Sequence, residues 1–259
     1  MRIALGVEYN GTHHAGWQIQ PSQRTVQGCL EDALSRVANH SVKTVAAGRT
    51  DSGVHALQQV VHFDTDVERD ERNWILGLNT NLPADINVTW AKPVDEDFSA
   101  RFSALNRSYR YLILNRVSRS ALQDKRMWWF FRPLDEQRMQ AAADLLVGHH
   151  DFSAFRAKEC QAKSPMKTME KIQVTRYGQY IAVDVKAQSF LHHMVRNIVG
   201  VLVPIGEGKE PVSWAKSVLE SRARAQGGIT SPPDGLYFMN VEYPAKYALP
   251  TVSALPMVW

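Results

Sequence analysis

VKTVAAGRTDSGVHALQQVVHF, residues 42–63, holds two short apolar runs on either side of a polar loop. The runs, Val42–Ala46 and Gln58–Phe63, are rich in valine and read as strands, with the glycine-containing loop marking the break between them. Working outward fixes what surrounds this pair. Upstream, Thr25 stands where it can cap a helix whose Val26, Leu30, Ala33, Leu34 and Val37 recur at helical spacing. Before that helix, Arg2–Tyr9 alternate, with Ile3, Leu5, Val7 and Tyr9 on one side, as a strand requires. Downstream, Glu71–Leu78 reads as a helix and Ile86–Trp90 as a closing strand. The order is β-α-β-β-α-β, the ferredoxin-like arrangement.

The second half follows the same order. Arg107–Leu114 predicts a strand with Tyr109, Tyr111 and Ile113 on one face, and Asp135–Val147 a helix that Gly148 is placed to terminate. Lys171–Thr175 and Tyr180–Lys186 predict strands flanking the turn Tyr177-Gly178-Gln179. Phe190–Val203 predicts a helix through Leu191, Val195, Ile198, Val199 and Leu202. Ser213–Ser221 adds another, and Leu236–Tyr243 closes as a strand. No residue-level repeat accompanies this duplication. The expected fold class is α+β, two ferredoxin-like halves with mixed or antiparallel sheets and an active-site cleft between them. The expected domains are residues 1–104, carrying the Asp51 loop, and residues 105–259.

Composition restricts the class of protein further. Hydrophobic residues at 44% and charged residues at 22% suit a chain that builds a core, not a disordered one. Thirty Lys and Arg against 26 Asp and Glu give net +4, which fits a polyanionic partner without demanding one. Two cysteines, Cys29 and Cys160, make no disulfide framework and suit a reducing compartment, with Cys29 expected as a buried, inert thiol. The longest apolar run, Ile198 to Gly206, falls far short of the ~20 residues that span a bilayer. A cytoplasmic, soluble protein is expected.

The loop Gly48–His55 concentrates a cation, two hydroxyls, a carboxylate and an imidazole between apolar strands. Glycine, aspartate and serine also form ordinary turns, so a plain turn is the competing reading. Asp51-Ser52-Gly53 further matches the triplet of aspartic proteases. That chemistry needs two carboxylates sharing a proton, but Asp234-Gly235 supplies no second copy, and Arg49 beside Asp51 opposes a shared proton.

AGRTDSGVHA closely resembles the signature of the tRNA pseudouridine synthase A (TruA) family. IALGVEYNGTHHAGWQIQ, RFSALNRSYRY, DFSAFR, FLHHMVRNIVG and DGLYFMNVEYP resemble that family too, in its order and over nearly the whole chain. The resemblance implies an isomerase that converts uridine to pseudouridine at positions 38, 39 and 40 of the tRNA anticodon stem-loop. No cofactor is implied, and no Gly-x-x-x-x-Gly-Lys phosphate loop or metal spacing is present in the sequence. A non-catalytic tRNA-binding module is the alternative, and its mark would be a replaced Asp51, Tyr109 or Arg196.

The resemblance also assigns residues. Asp51 is the essential carboxylate, acting as nucleophile at C1′ or as base toward the C2′ proton. Arg196 is its partner, a guanidinium that offsets the pKa rise of an enclosed carboxylate. On the expected helix Arg196 shares a face with His192. Arg49 displaces the base, because uracil in a stem must leave the stack to be reached. Tyr109 is the stacking wall, Tyr111 is expected in the core, and Leu236 packs against the base. Arg101 is the best candidate phosphate contact, ahead of Arg24, Arg107, Arg110, Lys158 and Lys163. His55 either hydrogen-bonds within the loop or packs, and the adjacent histidine pairs suggest no metal site. A homodimer gripping tRNA is implied as well.

Overall fold

The computed structural model describes residues 1–250. It is an α+β protein that divides into two compact units, Met1–Leu105 together with the chain from Tyr237, and Asn106–Leu236. The expected split at residue 104 therefore differs at the far end: the last strand counts with the first unit.

The first unit contains β1 (Arg2–Tyr9), α1 (Val26–Ala38), β2 (Val45–Ala46), β3 (His55–Asp64), α2 (Glu71–Asn81) and β4 (Ile86–Val94). β1 pairs antiparallel with β3 on one side and β4 on the other, and β2 pairs antiparallel with β3 through Val45 and His62. The order β4-β1-β3-β2, antiparallel throughout, is the expected ferredoxin-like sheet. Because β2 is two residues long, it leaves the start of β3 open. β10 (Leu236–Glu242) runs parallel to β3 there, with Tyr237 opposite His55 and Phe238 opposite Ala56. This pairing is why the chain returns to the first unit.

Thr25 caps α1 as predicted, its hydroxyl accepting from Gly28 N–H at 3.2 Å, and Asn39 ends the helix in the left-handed region. Val26, Leu30, Ala33 and Leu34 of α1 and Trp74 and Leu78 of α2 are buried, and Trp74 meets Phe63 edge-on at 5.3 Å.

The second unit contains β5 (Asn106–Asn115), β6 (Trp128–Phe130), α3 (Glu136–Asp144), β7 (Gly148–Asp151), β8 (Met166–Tyr177), β9 (Tyr180–Ala187), α4 (Met194–Gly206) and α5 (Trp214–Ser221). Its sheet runs β5-β9-β8-β7, antiparallel, with β6 parallel to β5. Every residue of α4 except Arg196 and Pro204 is buried. Among the described residues, no helix is long and apolar enough to cross a membrane.

Several boundaries depart from the sequence reading. The helix expected from Phe190 begins at Met194, because His193 sits at φ 62° and interrupts it. His192 is therefore off the helix and shares no helical face with Arg196. The helix expected to run to Val147 ends at Asp144, and Gly148, at φ 116°, opens β7.

His62 on β3 yields a first prediction. It is buried, its Nδ1 accepts from Ala100 N–H at 3.0 Å, and Phe98 meets it edge-on. Burial first, then the positive charge of Arg2, push its pKa down to about 4, against a weaker upward pull from Asp64. The folded state thus keeps this imidazole neutral where the unfolded chain, near ~6.5, takes up a proton. Stability is therefore lost as pH falls from about 6.5 towards 4, by roughly 3 kcal/mol for this group. Urea unfolding between about pH 7 and pH 5 is expected to show that slope. It should flatten in His62→Asn, whose Oδ1 can replace the acceptor. An unchanged slope in the variant would place the effect elsewhere.

Candidate active site

The loop between β2 and β3 is held at almost every residue. Gln59, fully buried on β3, donates to Gly48 O at 2.6 Å, and Gly48 N–H donates back at 3.4 Å. Ala47 N–H donates to Val60 O at 2.8 Å. The Thr50 hydroxyl meets the Tyr9 hydroxyl at 2.8 Å, and Thr50 O accepts from Trp17 N–H at 3.0 Å. Burial pushes the Tyr9 phenol far above its ordinary pKa, so it stays a neutral hydroxyl. Asp51 O accepts from Val54 N–H at 3.2 Å and closes a turn that has Gly53 at φ 80°, a conformation that favours glycine.

The other half of the grip comes from residues 11–17. His14 O accepts both Ser52 Oγ at 3.1 Å and Gly53 N–H at 3.4 Å. Two glycines let the two segments meet backbone to backbone. A Cβ on Gly11 would stand 2.0 Å from Val54 O, and one on Gly16 2.7 Å from Thr50 O. The result is a braced loop that presents Asp51 half-buried and Arg49 exposed.

His55 is buried at the start of β3. Its Nδ1 accepts from Gly11 N–H at 3.0 Å and its ring stacks on Tyr237 at 4.7 Å. His55 packs, one of the two expectations, and its Nδ1 bond reaches Gly11, outside the loop of residues 48–55. Arg101, in the same unit, is exposed, with its guanidinium 5.2 Å from the ring of Phe102, itself 81% exposed.

The remaining expected residues lie in the second unit. Tyr109 on β5 is half-buried and meets Phe190 edge-on at 4.9 Å. Tyr111, two residues on, is core as expected, fully buried with its hydroxyl donating to Pro232 O at 2.7 Å. Arg196 stands in the first turn of α4. Its Nε donates to Ser231 O at 2.7 Å, while its own carbonyl accepts from Ser231 N–H and Oγ at 3.3 and 2.9 Å. Ser231 was not foreseen, since nothing in the sequence marks a serine as a clamp on a distant arginine. Leu236, the first residue of β10, is buried.

Some expected phosphate contacts have other occupations. Arg110 is 4% exposed and makes a two-pronged pair with Asp184 at 2.7 and 2.9 Å, so it braces the sheet. Arg24 makes the same kind of pair with Asp85 at 2.9 and 2.8 Å. Arg107 donates to Gln188 O at 2.7 Å. Cys29, expected buried, is only half-buried, and partial burial raises its thiol pKa.

A carboxylate in a braced loop of an α+β scaffold fits carboxylate chemistry on a bound ligand, and likeness to known proteins gives the class. The chain belongs to the tRNA pseudouridine synthase family, whose model matches residues 6–103 and 142–244. More particularly, its relatives include the tRNA pseudouridine synthase A of Nitrosococcus oceani, 54% identical over all of both chains. That of Alcanivorax borkumensis is 55% identical over 96% of this chain and 94% of its own. That of Pseudomonas aeruginosa is 54% identical over 96% of this chain and 88% of its own.

Proposed function

We propose that this protein isomerises uridine to pseudouridine in tRNA, at positions 38, 39 and 40 of the anticodon stem-loop, with Asp51 as nucleophile. The observation that supports this best is the half-buried Asp51 on a loop fastened at Gly48, Thr50, Ser52 and Gly53, in a chain that belongs to the family. A carboxylate carried on a fastened main chain is prepared to meet one sugar carbon. Asp51 attacks C1′ as the C1′–N1 bond breaks. The freed uracil turns over and C5 bonds to C1′, displacing the carboxylate. C5 then gives up its proton to solvent and N1 ends protonated, so no atom and no electron is imported and no cofactor is needed.

The other residues take the roles that such a step requires. Arg196 serves as cationic partner to the Asp51 carboxylate. Tyr109 and Leu236 receive the extruded base, Arg49 fills the space it leaves in the stem, and Arg101 contacts phosphate. The protein acts in the cytoplasm as a homodimer. In this reading residues 1–104 carry the Asp51 loop, and residues 105–235 with Leu236 supply the stacking wall and the arginine partner.

Transfer RNA labelled with tritium at uridine C5 tests the reaction. The expected result is release of label to water, because C5 must lose its hydrogen to become bonded to carbon. A folded protein that binds tRNA but releases nothing would favour the binding-module alternative.

A further inference from the structure

The His14 carbonyl that fastens the Asp51 loop belongs to a residue whose buried side chain lies against a charged pair. The His14 imidazole is wholly buried, and its Nε2 lies 3.2 Å from Asp85 Oδ2. Asp85 in turn takes both prongs of the Arg24 guanidinium, at 2.8 and 2.9 Å. The main chain repeats the pattern. Asp85 O accepts from Asn10 N–H at 2.9 Å, and Arg24 O accepts from Ala15 N–H at 2.8 Å. Asp85 therefore holds both ends of the segment from Asn10 to Arg24, and its carboxylate lies against the His14 ring between them.

We infer that Asp85, with Arg24, is a positioning residue for catalysis: it fixes His14, and through the His14 carbonyl it sets the place of the Asp51 loop. The inference rests on the reading of Asp51 as the catalytic carboxylate. Its physical core is the geometry of one residue. His14 lies against Asp85 with its ring and holds Ser52 Oγ and Gly53 N–H with its carbonyl, so a shift of the whole residue moves the loop's acceptor. A bidentate carboxylate–guanidinium pair is directional, which suits it to hold an orientation as well as a distance. Arg24, on the list of candidate phosphate contacts, is thereby given a role that needs no RNA.

Two readouts test this on the full-length protein. The first is amide hydrogen exchange of the peptide covering residues 47–56, which contains the Gly53 N–H. Asp85→Ala is expected to speed exchange there and leave the peptide covering residues 106–115 unchanged. The second is turnover on C5-tritiated tRNA. The expected result is a kcat lowered roughly ten- to hundred-fold, with the tRNA dissociation constant within about two-fold of the parent. Should Asp85→Ala fail to fold, Arg24→Gln, at a partly exposed side chain, is expected to give the same pattern in weaker form. Unchanged loop exchange in a folded variant overturns the inference, and so does a loss carried wholly by tRNA affinity. Faster exchange in the variant beside a wild-type protein that releases no tritium would overturn the reading of the activity while the link from Asp85 to the loop stands.

Discussion

Asp51→Asn is expected to leave a folded, tRNA-binding protein whose tritium release is slower by roughly 10⁴-fold or more, the scale lost when a central nucleophile is deleted. Asparagine keeps the size and outline of the side chain, so the change isolates chemistry from packing. An amide neither attacks C1′ and leaves again nor accepts a proton from C2′, so either route through Asp51 fails. Fold retention is expected because the loop's fastenings run through Thr50 O and Oγ1, Ser52 Oγ, Gly53 N–H and the Asp51 carbonyl, which the substitution keeps. Binding should hold or tighten, since one negative charge facing the phosphates is gone. Circular dichroism, a filter-binding isotherm and the release assay on one preparation make the test. Release within about ten-fold of the parent, with fold and binding intact, would remove Asp51 from the centre of the mechanism.

What could be read from the sequence followed the side chains, and what could not followed the backbone. β1 and α1 were legible because their ends are written in residue types: an alternating run that stops at Tyr9, and a threonine that caps at position 25. The start of α4 was misplaced because Leu191, Val195 and Ile198 keep helical spacing while His193 breaks the helix by its φ of 62°, and periodicity carries no record of φ. β6 escaped notice as three aromatics in a row, too short a run for a period of two, and β7 because its His149 and His150 look like loop. The fate of Arg110 was decided by register, which sets it directly opposite Asp184 across β5 and β9. At the site, the density of functional groups in the loop of residues 48–55 argues against a plain turn, and the family resemblance is what singles out Asp51 within it. The loop's bracing was not legible, because main-chain carbonyls such as those of His14 and Thr50 leave no mark on a sequence. The close backbone approach at Gly11 and Gly16 shows only in the structure.

The second unit contains a similar close approach, and it yields the other large effect. Gly200 lies in the middle of α4, where a Cβ would stand 1.7 Å from Ile229 O and 3.0 Å from Ile229 C. Facing it, a Cβ on Gly228 would stand 2.1 Å from Gly200 O. Both obstacles are backbone, which cannot swing aside as a side-chain tip would. The segment is also held from other directions: Asn197 Oδ1 accepts from Thr230 Oγ1 at 2.7 Å, and Arg224 donates to Gly228 O at 2.8 Å. Gly200→Ala must therefore push residues 228–231 off the helix or bend the helix away from them. Overpacking of this kind costs about 1–3 kcal/mol or more, which for a chain of this size lowers Tm by roughly 2–4 °C for each kcal/mol. The functional loss should exceed the stability loss, because Ser231 holds Arg196 through three hydrogen bonds. A shift of about 1 Å in a positioning contact can cost ~10²-fold in rate. At a temperature where the variant is fully folded, its tritium release is accordingly expected to fall by about that factor, and Ser231→Gly, which removes the hydroxyl and leaves the approach of the two backbones untouched, by much less. A Gly200→Ala protein that melts with the parent and turns over tRNA at the parental rate would show that α4 and the 228–231 segment have room to part, and that Arg196 does not depend on their contact.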